Sequence, residues 1–300
     1  MNKLLIVGTV AFDAIETPFG KTDKILGGAG TYIGLSASHF NLQSAIVSVV
    51  GDDFPQEYLD LLTDRNIDIS GLEVVKGLKS QGATVFGLDI QEGDMGGFAQ
   101  YINCDVASPE SVKSAFAQIS SKTSVIDVLI NNAGIGAIGT IAEAAEEDWH
   151  KVFGVNVFGM GRVSAAAMPF LKKSKCAAIV NTCSLVSTAG VPKRAVYSAS
   201  KGAVYALTLA MATDGIADGV RVNCVNPGTS DTPWVKNLLS HTSEPEKELA
   251  ALQARQPMGR LVSPVEVASA IIYLANPAQA STTGTALAVD GGMQGLRLPK

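Results

Sequence analysis

The sequence predicts an α/β protein: a doubly wound parallel sheet between two helical layers, three layers in all, with an atypical segment at its amino-terminal end. Three observations predict it. From about residue 76, short β-branched runs alternate with longer helical stretches, the pattern of parallel strands joined by crossover helices. Each run ends in a polar or glycine-rich loop, where an open sheet of this kind places its ligands. A chain of 300 residues with 47% apolar content is also long enough to bury one large core or two modest ones.

Taken in order, residues 1–75 follow their own logic. "LLIVGTVAFDAIET" reads as a strand running into a polar turn, "GTYIGLSASHF" as a helix and "SAIVSVVGDD" as a strand. "PQEYLDLLTDRNI" reads as a helix opened by proline in its first turn. The segment joins the rest at "ISGLEVVKGLKSQGATV" without a flexible linker. Beyond it, "ATVFGLDI", "VIDVLINNAG", "CAAIVNTCS", "VRVNCVNPG" and "GTALAVDGG" are the strands. "SPESVKSAFAQIS" carries a helix start signal, and "AVYSASKGAVYALTLAMATD" has small and apolar residues at helical spacing. The expected division is therefore 1–75 and 76–300.

Composition narrows the function. The formal net charge is -5 and the lysines and arginines are scattered, so no nucleic-acid partner is expected. The opening apolar run meets Asp13 and Glu16 without a cleavage site, and no run approaches the ~20 residues of a membrane span. Cys104, Cys176, Cys183 and Cys224 lack CxxC spacing and read as free thiols of a reducing cytoplasm. His39, His150 and His241 stand far apart, and no metal site is expected.

The chemistry lies in "NTCSLVSTAGVPKRAVYSASKGA". Tyr197 and Lys201 are four residues apart in a helical stretch and share a face, and Ser184 sits at the end of the preceding strand. A phenol titrates near ~10 and is a poor base at neutral pH. A lysine ammonium beside it favours the phenolate and pulls that value down. Tyr197 can then exchange a proton with a substrate oxygen while the Ser184 hydroxyl hydrogen-bonds it, which is machinery for carbonyl reduction or alcohol oxidation. An ordinary helix pair is the alternative reading of Tyr197 and Lys201. Other motifs weigh against it: "NNAG" at 131–134, Asn156 in "VNVFG", "NPGTSDT" after a later strand, "CDV" at 104–106, and Asp89 closing "ATVFGLD".

With these motifs in this order, residues 76–300 resemble the short-chain dehydrogenases/reductases, whose fold is Rossmann-like. The resemblance implies a catalytic tetrad of Asn156, Ser184, Tyr197 and Lys201, with Tyr197 the acid/base, Ser184 the carbonyl polariser and Asn156 the anchor of a relay water. Lys201 would tune the tyrosine and hold the nicotinamide ribose. It implies that Asp89 takes the adenosine ribose hydroxyls and that Asp105 and Val106 flank adenine. Asn132, Ala133 and Gly134 would back the cofactor, and Pro227, Gly228 and Thr232 would close over the nicotinamide end. An acid ending the second strand independently suits the free 2′-hydroxyl of NAD and repels the phosphate of NADP. "DTPWVKNLL", "ARQPMGRLVSPVEVA" and "GGMQGLRLPK" are similar to dehydrogenases of fucose-like sugars and sugar acids. Trp234 would stack on a sugar and Arg255 or Lys236 would meet a carboxylate, or else Trp234 is core and the cations are solvated. The resemblance also implies a cytoplasmic homo-oligomer, a dimer or tetramer.

Family members carry a Thr-Gly-x-x-x-Gly-x-Gly phosphate loop about twenty residues ahead of the acid, and this chain has no such pattern. "GGAGTYIG" supplies Gly27, Gly28, Gly30 and Gly34, but Gly34 lies fifty-five residues before Asp89. Residues 1–75 instead resemble the amino-terminal part of ribokinase-like carbohydrate kinases, through Asp13, the Gly27–Gly28 pair and "VVGDDFPQEYLDLLTDRNID". That family's later Gly-Ala-Gly-Asp motif is absent, and Asp290 in "STTGTALAVDGG" is misplaced for it. The chain reads as a fusion in which a kinase-type opening replaces the first strand and glycine loop of a dehydrogenase. The pyrophosphate then lacks its usual backbone N–H donors. An inactive chimeric fold is the alternative to an NAD-dependent dehydrogenase, and a kinase is the third reading.

Overall fold

The computed structural model describes residues 3–7, 11–17, 20–27, 43–51, 56–65, 67–75, 84–92, 99–232, 235, 239 and 244–297. The chain divides into two compact units: Met1–Val85 with Gly96–Ala99, and Phe86–Met95 with Gln100–Lys300.

In the first unit, β1 (Lys3–Val7), β4 (Gln43–Gly51) and β5 (Ile67–Val75) form a parallel sheet in the order β1-β4-β5, and β2 (Ala11–Thr17) pairs antiparallel with β3 (Gly20–Gly27). Helix α1 (Gln56–Asp64) joins β4 to β5 and buries Leu62 completely. Three stretches differ from expectation. The polar turn after β1 is the strand β2, and "KTDKIL", too polar for a strand buried on both faces, is β3; a two-stranded antiparallel pair needs no such burial. The joining stretch "IDISGLEVV" is β5, a full partner of β4. The expected helix "GTYIGLSASHF" lies outside the described residues, as do Gly28, Gly30, Gly34, Asp52 and Asp53.

The second unit has the predicted alternation. It runs β6 (Val85–Asp89), β7 (Ala99–Asn103), α2 (Pro109–Ser120), β8 (Val128–Asn131), α3 (Glu146–Phe153), α4 (Met160–Leu171), β9 (Ala178–Thr182), α5 (Ala195–Gly215), β10 (Arg221–Pro227), α6 (Pro245–Ala254), α7 (Pro264–Ala275) and β11 (Ala286–Val289). β7 was not expected: "AQYIN" has one fully apolar β-branched residue, Ile102, and that residue is its buried anchor. β8 to β11 form a parallel sheet in the order β11-β10-β9-β8. One face packs on α2, α4 and α5 through Phe116, Ala167, Leu171, Ile179 and Val222. The other face packs on α7 through Val180, Val225, Ile271 and Leu274. The Arg221 guanidinium fastens α7 by donating to the carbonyls of Leu274, Ala275 and Asn276 at its carboxyl end, at 2.8–3.2 Å.

Among the described strands, β6 pairs only with β7, and β8 only with β9. Both pairs nevertheless share one helical layer, because Phe86 and Leu88 of β6 and Leu129 of β8 pack against the same core cluster. No described helix is long and apolar enough to cross a membrane.

Candidate active site

The carboxyl ends of β8, β9 and β10 bring the predicted residues together. Parallel strands end at one edge of the sheet, and the chain leaves each of them through a loop carrying polar side chains. At the end of β9, Thr182, Cys183 and Ser184 lead into a single 3-10 turn, Leu185–Ser187, which Ser184 caps with its hydroxyl oxygen by accepting the Val186 N–H at 3.4 Å. The Ser184 hydroxyl also lies near enough to the Tyr197 phenol to pull its pKa down. One turn further along α5, Lys201 is 3% exposed, with Nζ 5.8 Å from the Tyr197 ring centroid. Its ammonium donates to the Thr182 carbonyl at 2.8 Å.

Asn156 is fully buried in a π-helical turn, Gly154–Gly159, rather than in a regular helix. Such a bulge re-aims one side chain out of the helical register. Asn156 Oδ1 accepts the Ile135 N–H at 2.8 Å, and Nδ2 donates to the Ile135 carbonyl at 2.9 Å and to Ser200 Oγ at 3.0 Å. It thereby clamps the backbone just beyond Gly134. A Cβ at Gly134 would lie 3.4 Å from both Asn156 Oδ1 and Lys201 Nζ, so both side chains approach the backbone closely where no side chain intervenes.

The other predicted residues line the same edge. Asp89 ends β6 with an exposed carboxylate whose Oδ1 accepts the Gln91 N–H at 3.1 Å. Asp105 caps the next turn through Ala107 N–H, and Val106 packs on Gly159, where a Cβ would approach Val106 Cγ2 to 2.8 Å. Asn132 accepts from Thr182 Oγ1 at 2.9 Å, and Ala133 beside it is exposed. Pro227 closes β10, and the Gly228 N–H donates to Val289. The Thr232 hydroxyl accepts the Val235 N–H at 3.4 Å. Trp234 and Lys236 lie outside the described residues, and Arg255 is an exposed residue ending α6. These residues fit a dinucleotide at its ribose, adenine and nicotinamide ends: an open acid after β6, a side-chain-free floor at Gly134, and a buried ammonium under the tyrosine.

The electrostatics differ from the sequence reading. Burial pushes the Tyr197 phenol above its ordinary value, while the hydrogen bond from Ser184 and the charge of Arg194 pull it down. Burial also brings the Lys201 amine down to about 8. Desolvation of both groups therefore outweighs the expected lowering of the tyrosine by Lys201, and the opposing cation is Arg194. Sequence reasoning missed Arg194, one turn before Tyr197. One signal in the sequence could have found it, and the structure adds a second mark. A cation at a helix amino terminus opposes the helix dipole. The residue before it, Lys193, adopts a left-handed φ of 55°. Burial lowers the Arg194 guanidinium, and the charge of Arg255 lowers it further.

This fold and this edge define an α/β oxidoreductase of the Rossmann-like class. A profile of the family described as enoyl-(acyl carrier protein) reductase matches residues 70–294. Dehydrogenase/reductase SDR family member 6 of Rattus norvegicus is 37% identical over 214 residues, spanning 71% of this chain and 87% of the relative. The ligand-free structure of Thermoplasma acidophilum aldohexose dehydrogenase is similar with TM-score 0.67 and 29% identity, covering 85% of this chain and 97% of that one. A variant of actinorhodin polyketide ketoreductase with NADPH follows at TM-score 0.61 and 28% identity, covering 88% and 92%. The chain belongs to the short-chain dehydrogenase/reductase family.

Proposed function

We propose that the chain interconverts an alcohol and a carbonyl with NAD, on a sugar or sugar-acid substrate. The observation that carries this reading is the convergence of Ser184, Tyr197 and Lys201 at one strand end. Tyr197 gives a proton to the substrate oxygen or takes one from it, and Ser184 donates a hydrogen bond to the same oxygen as its charge develops. Lys201, buried beneath them, holds the ribose and offsets the phenolate. Asn156 keeps the Gly134–Ile135 backbone in place and anchors a relay water. The nicotinamide, when bound, supplies or accepts the hydride. Asp89, Asp105, Val106, Asn132, Ala133, Gly134, Pro227, Gly228 and Thr232 would hold the dinucleotide. Arg255, joined by Arg194, would receive a substrate carboxylate, since the two guanidiniums repel each other and each gains from an anion between them. Trp234 would stack on the sugar ring.

The chain is proposed to act as a cytoplasmic homo-oligomer, with residues 1–75 a ribokinase-like fragment in place of the first βα unit. A second reading, an inactive fold, is favoured by the unpaired edges of β6 and β8 among the described strands. The test is turnover of sugars, sugar acids and simple secondary alcohols with NAD, followed by the absorbance of the reduced nicotinamide. Tyr197→Phe should lower turnover by on the order of 10² to 10⁴, as expected for loss of a general acid/base. An unchanged rate would remove the mechanism.

A further inference from the structure

Three successive residues at the end of β9 each face the same stretch of α5. The Thr182 carbonyl accepts from Lys201 Nζ at 2.8 Å, Cys183 Sγ lies 3.2 Å from the Lys201 carbonyl, and the Ser184 hydroxyl meets the Tyr197 phenol. The outer two contacts belong to the chemistry proposed above, and the middle one does not. Cys183 is 2% exposed, and its N–H donates to the Val225 carbonyl of β10 at 2.9 Å. It packs with Met160, Val204 and Cys224, a cluster that shields the thiol from water. The Lys201 carbonyl lies inside α5, where the helical ladder uses one lone pair, and the thiol takes the second. Its main chain is thus fixed by β10, and its side chain spans the Lys201 carbonyl of α5 and the Cys224 thiol of β10.

We propose that Cys183 is a positioning residue whose thiol, donating to the Lys201 carbonyl, sets the spacing between the strand end carrying Ser184 and the helix turn carrying Tyr197 and Lys201. The inference rests on the reading of Ser184, Tyr197 and Lys201 as the reacting group. A thiol is a weak donor, so its loss leaves the fold standing. An ångström of slack between proton donor and acceptor is nevertheless costly in rate. Lys201 Nζ is faced by the Thr182 carbonyl, the Tyr197 ring, and the sulfurs of Cys183 and Cys224, with Arg194 beyond the tyrosine. Slack on α5 changes that whole shell.

The test uses the full chain labelled with carbon-13 at lysine Cε, with the Lys201 resonance assigned by its loss in Lys201→Arg. Wild type, Cys183→Ala, Cys183→Val, which refills the space without a donor, and Cys183→Ser, which restores one, are titrated by NMR. In the Ala and Val variants the Lys201 midpoint should move by on the order of half a pH unit, and the Ser variant should return toward wild type. Turnover should fall about 10-fold in Ala and Val with KM little changed, and recover in Ser. A Lys201 titration identical in wild type and both donor-less variants, with only the melting temperature lowered, would reduce Cys183 to packing and overturn the proposal. A wild-type Lys201 titrating like a free lysine would do the same. If no variant, nor the wild type, turns over any substrate while the titrations behave as described, the hydride-transfer reading fails and the placement of Cys183 stands.

Discussion

β8 and β9 are neighbours in one sheet, yet they meet different surroundings. Ile130 and Val180 are partners in register on the same face, and Val180 is 0% exposed while Ile130 is 42% exposed. Val128, two residues earlier on that face of β8, is 38% exposed. Helix α7 covers β9, β10 and β11, where Ser184, Tyr197 and Lys201 gather. That half of the sheet, proposed to be catalytic, is covered on both faces. The half proposed to hold the nucleotide differs: among the described strands β8 has one neighbour, and β6 has only β7. Because β6 and β8 pack on the same helical layer, a single strand followed by a covering helix is what would complete the sheet between them. That is the unit whose glycine loop the sequence lacks. The two halves therefore differ in packing: one is covered on both faces, and in the other the described strands β6 and β8 each have a single neighbour.

The strongest way to break this contrast is to supply the missing unit. Replacing residues 1–75 with a strand, a Thr-Gly-x-x-x-Gly-x-Gly loop and a helix should raise NAD affinity by on the order of 10² to 10⁴, since it adds two or more charge-assisted hydrogen bonds of roughly 1.5–3 kcal/mol each. Calorimetry reads the affinity, and hydrogen exchange should show β8 becoming protected. No gain in either would mean that the nucleotide half is already complete. A smaller effect tests the packing itself. Val180→Ala should destabilise by about 2 kcal/mol, the worth of a buried aliphatic side chain, while Ile130→Ala on the next strand should cost less than about 1 kcal/mol. Equal costs in urea unfolding would show that β8 is covered as well as β9.

The same contrast explains what the sequence disclosed. From β6 onward all the strands but β7, their loops and the spacing of Ser184, Tyr197 and Lys201 are legible, because strands buried between helices must be β-branched and apolar and their loops must be polar. β7 escaped notice because a short strand with one buried residue carries little of that signal. β5 escaped because Gly71 interrupts its run, and the β2–β3 pair because hairpin strands tolerate polar residues. At the site, Asn156, Gly134 and Lys201 were expected and do converge. The sense of the electrostatics was not legible: a four-residue spacing says that a lysine is near a tyrosine, but not that burial raises one and lowers the other. Cys183 read as an inert thiol because its partner is a backbone carbonyl, which no side-chain pattern reveals.

On the nucleotide half, Asp89 tests whether the acid after β6 still selects its ligand without the glycine loop. A carboxylate pairs with a ribose diol and opposes a 2′-phosphate, so Asp89→Ala should narrow the preference for NAD over NADP by about tenfold, or ~1.4 kcal/mol. Tighter binding of NADP by the unaltered chain would remove Asp89 from the nucleotide site.

The smallest effect concerns α7, the helix that covers β9. Ser263 and Glu266 form a capping box at the start of α7: the Ser263 hydroxyl accepts the Val265 N–H, and Glu266 accepts the Ser263 N–H at 2.7 Å. Arg260 bonds both oxygens of the same carboxylate at 2.9 and 2.7 Å, and the hydrogen bond from Arg260 is the main reason the Glu266 carboxyl falls to about 2, with the Ser263 N–H next. A folded-state value below the unfolded one means that this group stabilises the fold above the ordinary carboxylate range, near ~4.3, and that the contribution is lost as pH falls from there toward about 2. The pair is half exposed, so solvent screening holds the effect below about 1 kcal/mol. Glu266→Gln keeps a side chain that can accept the Ser263 N–H but removes the charge. Wild type should therefore unfold at higher urea than Glu266→Gln near pH 6, and the two should converge as the pH approaches 2, with the amides of α7 and then of β9 opening first in hydrogen exchange. If the difference stays constant with pH, the charge adds nothing to the cap, and the protection of β9 rests on the apolar face of α7 alone.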